Sequence, residues 1–202
     1  MKDTYNTIAR PGEETLFKDR NSKFFGYAFP VQTEDDVKER LQELQELHPS
    51  AGHHCYAYQL GVETKKYRVN DDGEPSNSAG MPIYGQIQSF GLTNVLIVSV
   101  RYFGGVKLGV GGLINAYRNS AKLALEASEI VEEIIQVQFQ LNFAYDLMNK
   151  VMRVIKEKNL QVIYQKMELD CEFVIAVRQR EADALQQVLE GIYKLEVARL
   201  VP

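Results

Sequence analysis

A short apolar strand followed by a glycine-rich loop and a helix organises this chain of 202 residues. The apolar run at residues 95–100 is rich in β-branched side chains, which is typical of a buried strand. Five glycines follow between Gly104 and Gly112, where they permit positive φ angles and close backbone contacts. A helix that begins at this loop directs its free N–H groups and its positive dipole end toward it. Such an arrangement suits an anion such as phosphate.

The loop matches neither of the standard phosphate-binding motifs. Counting from Gly104, Val110 and Gly111 stand where a P-loop requires Lys and Ser or Thr. The pair Gly109 and Gly111 lacks the third glycine of a dinucleotide fingerprint, because Ile114 occupies that position. Two interpretations therefore stay open. The glycines either let a strand and a helix pack closely, or they form a loop that binds an anion or a phosphate backbone.

The charge distribution singles out the same part of the chain. The protein carries a formal net charge of −4, yet residues 75–125 contain four cations and no acidic residue. The overall acidity argues against a protein that captures nucleic acid over its whole surface. We therefore expect a ligand at this acid-free region, where positive charge is local. The candidate binding residues are Arg101, Tyr102, Gly104, Gly105, Lys107, Gly109, Gly111, Gly112, Arg118 and Lys122.

Two adjacent histidines, His53 and His54, precede Cys55 in a segment with the composition of a strand. Neighbouring side chains on a strand point to opposite faces, so His53 shares a face with Cys55 and His54 does not. This geometry argues against a dyad of His54 with Cys55, and against one metal held by both histidines. A half-buried histidine within a hydrogen-bond network is the alternative.

An acidic turn follows, in which Asp71, Asp72 and Glu74 place three carboxylates within four residues. Carboxylates at this spacing could bind a hard cation. However, no acidic residue follows before Glu126 to complete the site, and an Asp-Asp-Gly turn accounts for the same residues. An ion pair from Arg101 to Asp71 or Asp72 is the structural alternative to ligand binding by Arg101, because a buried unpaired charge is costly.

Composition and the chain's first residues predict the compartment. Cys55 and Cys171 lie far apart in the sequence and in different predicted domains, so we expect reduced thiols rather than a disulfide. The N-terminal residues lack the apolar core of a signal peptide. No run approaches the ~18 apolar residues of a membrane span. We therefore expect a soluble cytoplasmic protein without a membrane partner, and we expect neither a bound metal nor a cofactor.

The first 131 residues predict an α+β domain. Strands are expected at residues 4–10, 22–31, 53–60 and 65–69, in addition to the apolar run at 95–100. Thr33 is expected to cap a helix with acidic residues in its first turn, and a second helix is expected at residues 79–90. Because strands and helices mix without regular βαβ alternation, the pattern favours a two-layer α/β sandwich with helices on one sheet face.

The character of the sequence changes near residues 129–135, where we expect a domain boundary. Thirteen of the 14 glycines lie before this point, and only Gly191 lies after it. Residues 135–143 alternate between apolar and polar without exception, which is typical of a half-buried strand. Periodic helical and strand segments then follow in the order βαββαβ. This order predicts a ferredoxin-like domain at residues 135–202.

Three segments carry a resemblance to a known family. They are Asp-Asp-Gly-Glu-Pro (71–75), Val-Arg-Tyr-Phe-Gly-Gly-Val-Lys-Leu-Gly-Val-Gly-Gly-Leu (100–113) and Ala-Tyr (116–117). Together with Ser-Lys-Phe (22–24) and His-His-Cys-Tyr-Ala-Tyr (53–58), they resemble the IMPACT/YigZ family, which is linked to translation control. The resemblance covers the whole chain. In two places the chain departs from the family pattern: Asn77-Ser78 replaces Gly-Thr, and Arg118 follows Ala-Tyr rather than preceding it.

The resemblance implies both a fold and a function. It gives the first domain the fold of a ribosomal protein and of domain four of elongation factor G, and likens the second domain to another domain of that factor. It implies a non-catalytic binding protein in the regulation of translation or stress, with ribosome, RNA or a translation-associated protein as partner. The alternative is a small metal- or His/Asp-dependent hydrolase. Its candidate residues are His53, His54, Asp71, Asp72, Glu74 and Ser76.

Overall fold

A computed structural model describes residues 3–200 of the chain. The described residues divide into two compact units, one formed by Tyr5–Glu133 and the other by residues 3–4 together with residues 134–200. Among the residues described, no helix is both long enough and apolar enough to cross a bilayer. The α+β class expected from the sequence is confirmed, since both units combine helices with antiparallel strands.

The first unit is built around a five-stranded antiparallel sheet with the spatial order β2-β3-β6-β4-β5. Strands β1 and β7 form a separate two-stranded sheet. The elements of this unit are β1 (Thr4–Ile8), β2 (Thr15–Asp19), β3 (Ser22–Pro30), α1 (Glu34–Leu47), β4 (His53–Leu60), β5 (Lys66–Asn70), α2 (Gly80–Ser89), β6 (Val95–Tyr102), α3 (Gly109–Glu126) and β7 (Ile130–Ile134).

Helices cover both faces of the five-stranded sheet, so the expectation of helices on one face is wrong. Val37 and Leu44 of α1 join a core cluster with Tyr27, Tyr56 and Val98. The opposite face packs against α2 and α3 in a second cluster, which contains Ile83, Ile87, Leu113, Ala121 and Leu125. The physical reason lies in the central strands: residues 95–98 of β6 are all apolar and buried, and successive side chains point to opposite faces, so both faces need cover.

Local signals in the sequence explain how α1 begins. Thr33 accepts a hydrogen bond from the N–H of Asp36, and the Asp36 carboxylate accepts one from the N–H of Thr33. This reciprocal capping box satisfies N–H groups that have no partner inside the helix. The predicted Thr33 cap is therefore confirmed. Strands β2 and β7 were not predicted, because charged residues interrupt the apolar pattern of each.

The second unit has its own sheet and its own core. Its strands have the spatial order β11-β8-β10-β9 and all pair antiparallel. Alternate residues of β8, including Phe139, Leu141 and Phe143, pack against the two helices, as the sequence alternation predicts. Its elements are β8 (Gln136–Ala144), α4 (Met148–Glu157), β9 (Gln161–Lys166), β10 (Asp170–Arg178), α5 (Gln179–Glu190) and β11 (Glu196–Leu200), the expected βαββαβ order.

Because each unit has a complete apolar core, we predict that they fold separately when the chain is divided between residues 133 and 134. Residues 134–202 should be less stable alone than with residues 1–4 attached, since Arg178 donates two hydrogen bonds to the Asp3 carboxylate. Amide proton dispersion of the separately expressed pieces would show whether each piece folds. A collapsed spectrum for residues 5–133 would show that the division is wrong.

Candidate functional site

A buried ion pair links the acidic turn to the end of β6. Arg101 is only 5% exposed, and its Nη1 atom lies 2.6 Å from Oε1 of Glu74. The guanidinium carbon lies 5.4 Å from the ring centroid of Phe24 and 5.6 Å from that of Phe103, which adds cation–π attraction. The sequence correctly indicated a pair between Arg101 and the acidic turn, but the partner is Glu74 rather than Asp71 or Asp72. Arg101 is therefore part of the core and not an exposed ligand contact.

The same carboxylate anchors α3. Tyr117 donates a hydrogen bond of 2.7 Å to Oε1 of Glu74, and the thiol of Cys55 lies 3.3 Å from the Tyr117 hydroxyl. Burial raises the pKa of the Cys55 thiol and the pKa of the Tyr117 hydroxyl. Both groups stay protonated at neutral pH, so Cys55 is not available as a thiolate nucleophile. The cluster holds a turn, a strand and a helix together.

Asp71 caps the N-terminus of α2. Its Oδ1 atom accepts hydrogen bonds from the N–H groups of Ala79 and Gly80 at 3.0 and 2.8 Å. Its Oδ2 atom accepts one from the N–H of Asn77 at 2.7 Å. A carboxylate at this position satisfies free helix N–H groups and interacts favourably with the helix dipole. Helix capping therefore accounts for Asp71 without a bound ligand.

Asp72 connects the turn to the start of β4. The N–H of His54 donates to the Asp72 carboxylate at 2.5 Å, and Nδ1 of His53 lies 2.7 Å from the Asp72 carbonyl oxygen. A carbonyl oxygen can only accept, so His53 carries its proton on Nδ1. The Nε2 atom of His53 then faces Glu74 at 3.8 Å, which is longer than a hydrogen bond.

These contacts bring the residues of the hydrolase alternative close together around one turn. The carboxylates of Asp71 and Asp72 accept hydrogen bonds from backbone N–H groups. The ring of His54 is not within hydrogen-bond distance of them, since its Nδ1 atom lies 4.0 Å from Oδ2 of Asp72. Ser76 is exposed and accepts a hydrogen bond from the Asn77 amide at 3.4 Å. Within residues 3–200, no group of three or more His, Cys, Asp or Glu side chains is arranged to hold a metal ion.

The loop glycines have different structural causes. A Cβ atom on Gly104 would lie 2.1 Å from the backbone carbon of Asn21, so only glycine permits this contact between the loop and the β2–β3 turn. Gly105 and Gly109 have φ angles of 85° and 73°, in the left-handed region that favours glycine. Gly111 has neither reason: a Cβ there would meet no atom within 4 Å. Packing therefore explains Gly104, whereas Gly111 leaves open space at the start of α3.

Three of the four predicted cations are exposed. Lys107 lies in the loop, and Arg118 and Lys122 lie on α3. Lys122 forms an ion pair of 3.6 Å with Glu126, one helical turn further on. Within the part of the chain that the structure describes, Lys107 and Arg118 make no ion pair. Because α1 covers the opposite sheet face, its acidic residues do not fold over α3.

Tyr102 lies on the other face of the sheet from Arg101, because neighbouring strand residues point in opposite directions. It packs near the cluster that α1 covers and does not share a surface with Arg118. Its ring meets Phe25 and His48 with centroid distances of 5.7 and 5.8 Å.

His48 was not among the residues predicted from the sequence, because a single histidine at the end of a helix resembles an ordinary C-terminal residue of that helix. His48 is only 8% exposed.

A chain of hydrogen bonds determines the proton position on His48. Tyr27 donates its hydroxyl proton to Glu14, so its oxygen must accept from Nε2 of His48 at 2.5 Å. Neutral histidine carries one ring proton, which leaves Nδ1 as an acceptor. Tyr102 therefore donates its hydroxyl proton to Nδ1 of His48 at 2.9 Å. The lone pairs of the Tyr102 oxygen remain free to accept.

Comparison with known proteins places this arrangement in a family. Residues 20–125 match the model of the Impact N-terminal domain. The IMPACT family member YvyE of Bacillus subtilis is 30% identical over 187 residues, which cover 93% of this chain and 86% of that protein. This chain belongs to the IMPACT family. The resemblance expected from the sequence is confirmed, and the matched range contains both the ion pair and the glycine loop.

Two further comparisons extend this result. IMPACT family member YigZ of Escherichia coli is 33% identical over 108 residues, which cover 52% of this chain and 53% of that protein. A solved structure of a hypothetical protein superposes with a TM-score of 0.78 and covers 100% of this chain and 99% of the other, at 21% identity. At that identity the superposition supports the fold alone.

We predict that the stability of the first unit decreases below about pH 6.5, in part because of His48. Burial lowers the pKa of His48 and nearby His54 acts in the same direction, although Glu14 opposes them. The unfolded chain takes up a proton near pH 6.5, so it binds more protons than the folded state as the pH falls. The contribution of His48 to the free energy of unfolding is complete above pH 6.5. It is lost as the pH falls toward the lower pKa that His48 has in the folded state.

Urea unfolding between about pH 7.5 and pH 5 would measure this effect. His48→Gln keeps a donor and an acceptor but does not titrate, so its unfolding free energy should depend less steeply on pH than that of the wild type. The difference in slope should be at most about 1.4 kcal/mol per pH unit. Equal slopes for the two proteins would contradict the prediction.

Proposed function

We propose that this protein is a non-catalytic binding protein that associates with RNA of the translation machinery through the exposed surface of the loop and α3. The observation that carries this proposal is the pair of exposed cations, Lys107 and Arg118, in a region without any acidic residue from 75 to 125. The family's link to translation control, implied by the resemblance, supplies the class of partner. A regulatory role in translation follows from the same link.

The start of α3 supports anion binding at this surface. The helix has 18 residues and no side chain caps its N-terminus, so the free N–H groups of its first turn remain available. The helix dipole adds positive potential at that end. Gly111, next to these groups, keeps the space open for a phosphate to approach the backbone.

The positions of the acidic residues also support the proposal. Glu126, the acidic residue nearest to Arg118 in the sequence, pairs with Lys122. The carboxylates of the acidic turn face Arg101, α2 and β4, and the acidic residues of α1 lie on the other sheet face. None of these groups neutralises Lys107 or Arg118. A local patch of positive charge can steer a polyanion even when the whole protein is acidic.

We predict that Lys107→Glu combined with Arg118→Glu weakens binding to ribosomes and RNA at low salt by about tenfold or more, because two phosphate contacts are lost and repulsion is added. The difference from the wild type should shrink as salt rises, since screening removes the attraction. Co-sedimentation with ribosomes and filter binding to RNA would measure it. Amide proton dispersion should stay unchanged, because both side chains are exposed.

Lys65→Glu with Lys66→Glu is the matched control, since it changes the net charge equally at exposed positions next to or within the edge strand β5. It should bind nearly as well as the wild type. If the Lys107 and Arg118 double variant binds ribosomes and RNA as well as the wild type at low salt, this surface is not the binding site. A loss equal to that of the control would indicate only a net-charge effect.

A further inference from the structure

A cleft lies on the sheet face covered by α1, opposite the face that packs against α3. Its volume is about 380 Å³, which lies within the range of small-molecule sites. Its lining includes three aromatic rings, one cation and no carboxylate. The lining residues are Asn21, Lys23, Phe25, His48, Tyr102 and Phe103. The established family membership assigns nothing to this cleft, and the proposed RNA-binding surface does not include it.

The sheet register brings the main groups of the cleft together. Lys23 on β3 lies directly opposite Tyr102 on β6, so their side chains project from the same face. Phe25, two residues after Lys23, projects from that face as well. His48 is the C-cap of α1, and its ring lies 5.3 Å from that of Phe25. The end of one helix and two neighbouring strands therefore form the cleft.

Phe103 stands at the rim with an accessible ring. It is 56% exposed, although large aromatic side chains are usually mostly buried. The buried Arg101 guanidinium lies 5.6 Å from its centroid and helps to hold the ring in place. An exposed aromatic ring held in this way offers a stacking surface for a planar ligand.

Tyr102 supplies directional recognition inside the cleft. Its hydroxyl proton is committed to Nδ1 of His48, as the chain of hydrogen bonds through Tyr27 to Glu14 requires. The oxygen can then only accept a further hydrogen bond, which selects a ligand with an N–H or amino group. Burial lowers the pKa of His48, which keeps its ring neutral and this pattern in place at neutral pH.

We propose that this cleft binds a nucleotide, whose base stacks on Phe103 and donates a hydrogen bond to the Tyr102 oxygen while its phosphate meets Lys23. Aromatic rings favour a planar base, the accepting oxygen favours a base N–H, and the single cation without any lining carboxylate favours a phosphate. The shared chemistry is that of a nucleoside phosphate. It occurs both in a free mononucleotide and in a nucleotide of a single-stranded RNA.

The test is an NMR titration of the full chain with AMP, with adenosine, with ribose 5-phosphate and with a short single-stranded RNA. Shifts at Lys23, Phe25 and Phe103 with AMP identify a mononucleotide site, and shifts there with the RNA alone identify an RNA-strand site. Both results support the proposal. No shift at these residues with any of the four probes at millimolar concentration would overturn it, as would equal affinity for AMP and ribose 5-phosphate.

Variants separate the parts of the proposed site. Phe103→Leu keeps an apolar side chain but removes the stacking ring. Binding of AMP, or of the RNA if only the RNA shifts these residues, should therefore weaken at least fivefold. Lys23→Gln should weaken AMP binding and leave adenosine binding unchanged. The matched control Lys66→Gln, which removes a lysine charge from β5 at the far edge of the sheet, should change neither. Wild-type affinity for AMP and RNA in both Phe103→Leu and Lys23→Gln would overturn the proposal.

Failure of this proposal and failure of the proposed RNA surface can be distinguished. The Lys107→Glu and Arg118→Glu variant should retain shifts in the cleft with AMP, because neither residue lines it. Tyr102→Phe tests the recognition step: it keeps the ring and removes the accepting oxygen. AMP binding should weaken about tenfold, with adenosine affected equally, since the lost contact is to the base. An equal loss for ribose 5-phosphate would contradict base recognition.

Discussion

The buried pair of Arg101 and Glu74 is the interaction on which the first unit depends. Both charges lie out of water, where an unpaired charge is strongly unfavourable. Each must therefore keep its partner, and this requirement joins the acidic turn to the end of β6. Tyr117 extends the connection to α3 through the same carboxylate. A strand, a turn and a helix that are distant in the sequence are thus held in one arrangement.

The alternation of the strand then assigns neighbouring residues to different tasks. Arg101 points into the core beneath α3, whereas Tyr102 points to the face that α1 covers. The glycine loop follows at once and carries Lys107 to the start of α3. One continuous motif therefore contributes to a structural pair, to an aromatic cleft and to an exposed cationic surface. The same short segment can contain residues with unrelated roles because direction on a strand changes at every residue.

Much of the fold followed from local patterns in the sequence. The Thr33 cap, the alternation of β8 and the βαββαβ order depend on neighbouring residues, and the structure confirms the elements that they predict. The family resemblance depends on long contiguous motifs and was equally accessible. Boundaries differed by a few residues, and β2 and β7 were missed because charged residues interrupt their apolar patterns.

The partner of Arg101 could not be predicted, because it depends on how the acidic turn is shaped. Asp72 and Gly73 have φ angles of 43° and 84°, and these left-handed conformations turn the chain so that Glu74 points inward. The role of His48 depends on α1 packing on the second face, which is a tertiary property. The residue types indicated an ion pair and an exposed cationic patch. The shape of the acidic turn and the packing of helices on both sheet faces decided which residues form the pair and which form the patch.

A double-mutant cycle on the buried pair tests this account most directly. Glu74→Gln and Arg101→Met would be compared with the wild type and the double variant, with unfolding followed by amide signals of residues 5–133. Each single variant should lose about 3–5 kcal/mol of stability, because it leaves one buried charge without its partner. The double variant should lose clearly less than the sum. Single losses below about 1 kcal/mol, or losses that simply add, would contradict the view that this pair holds the unit together.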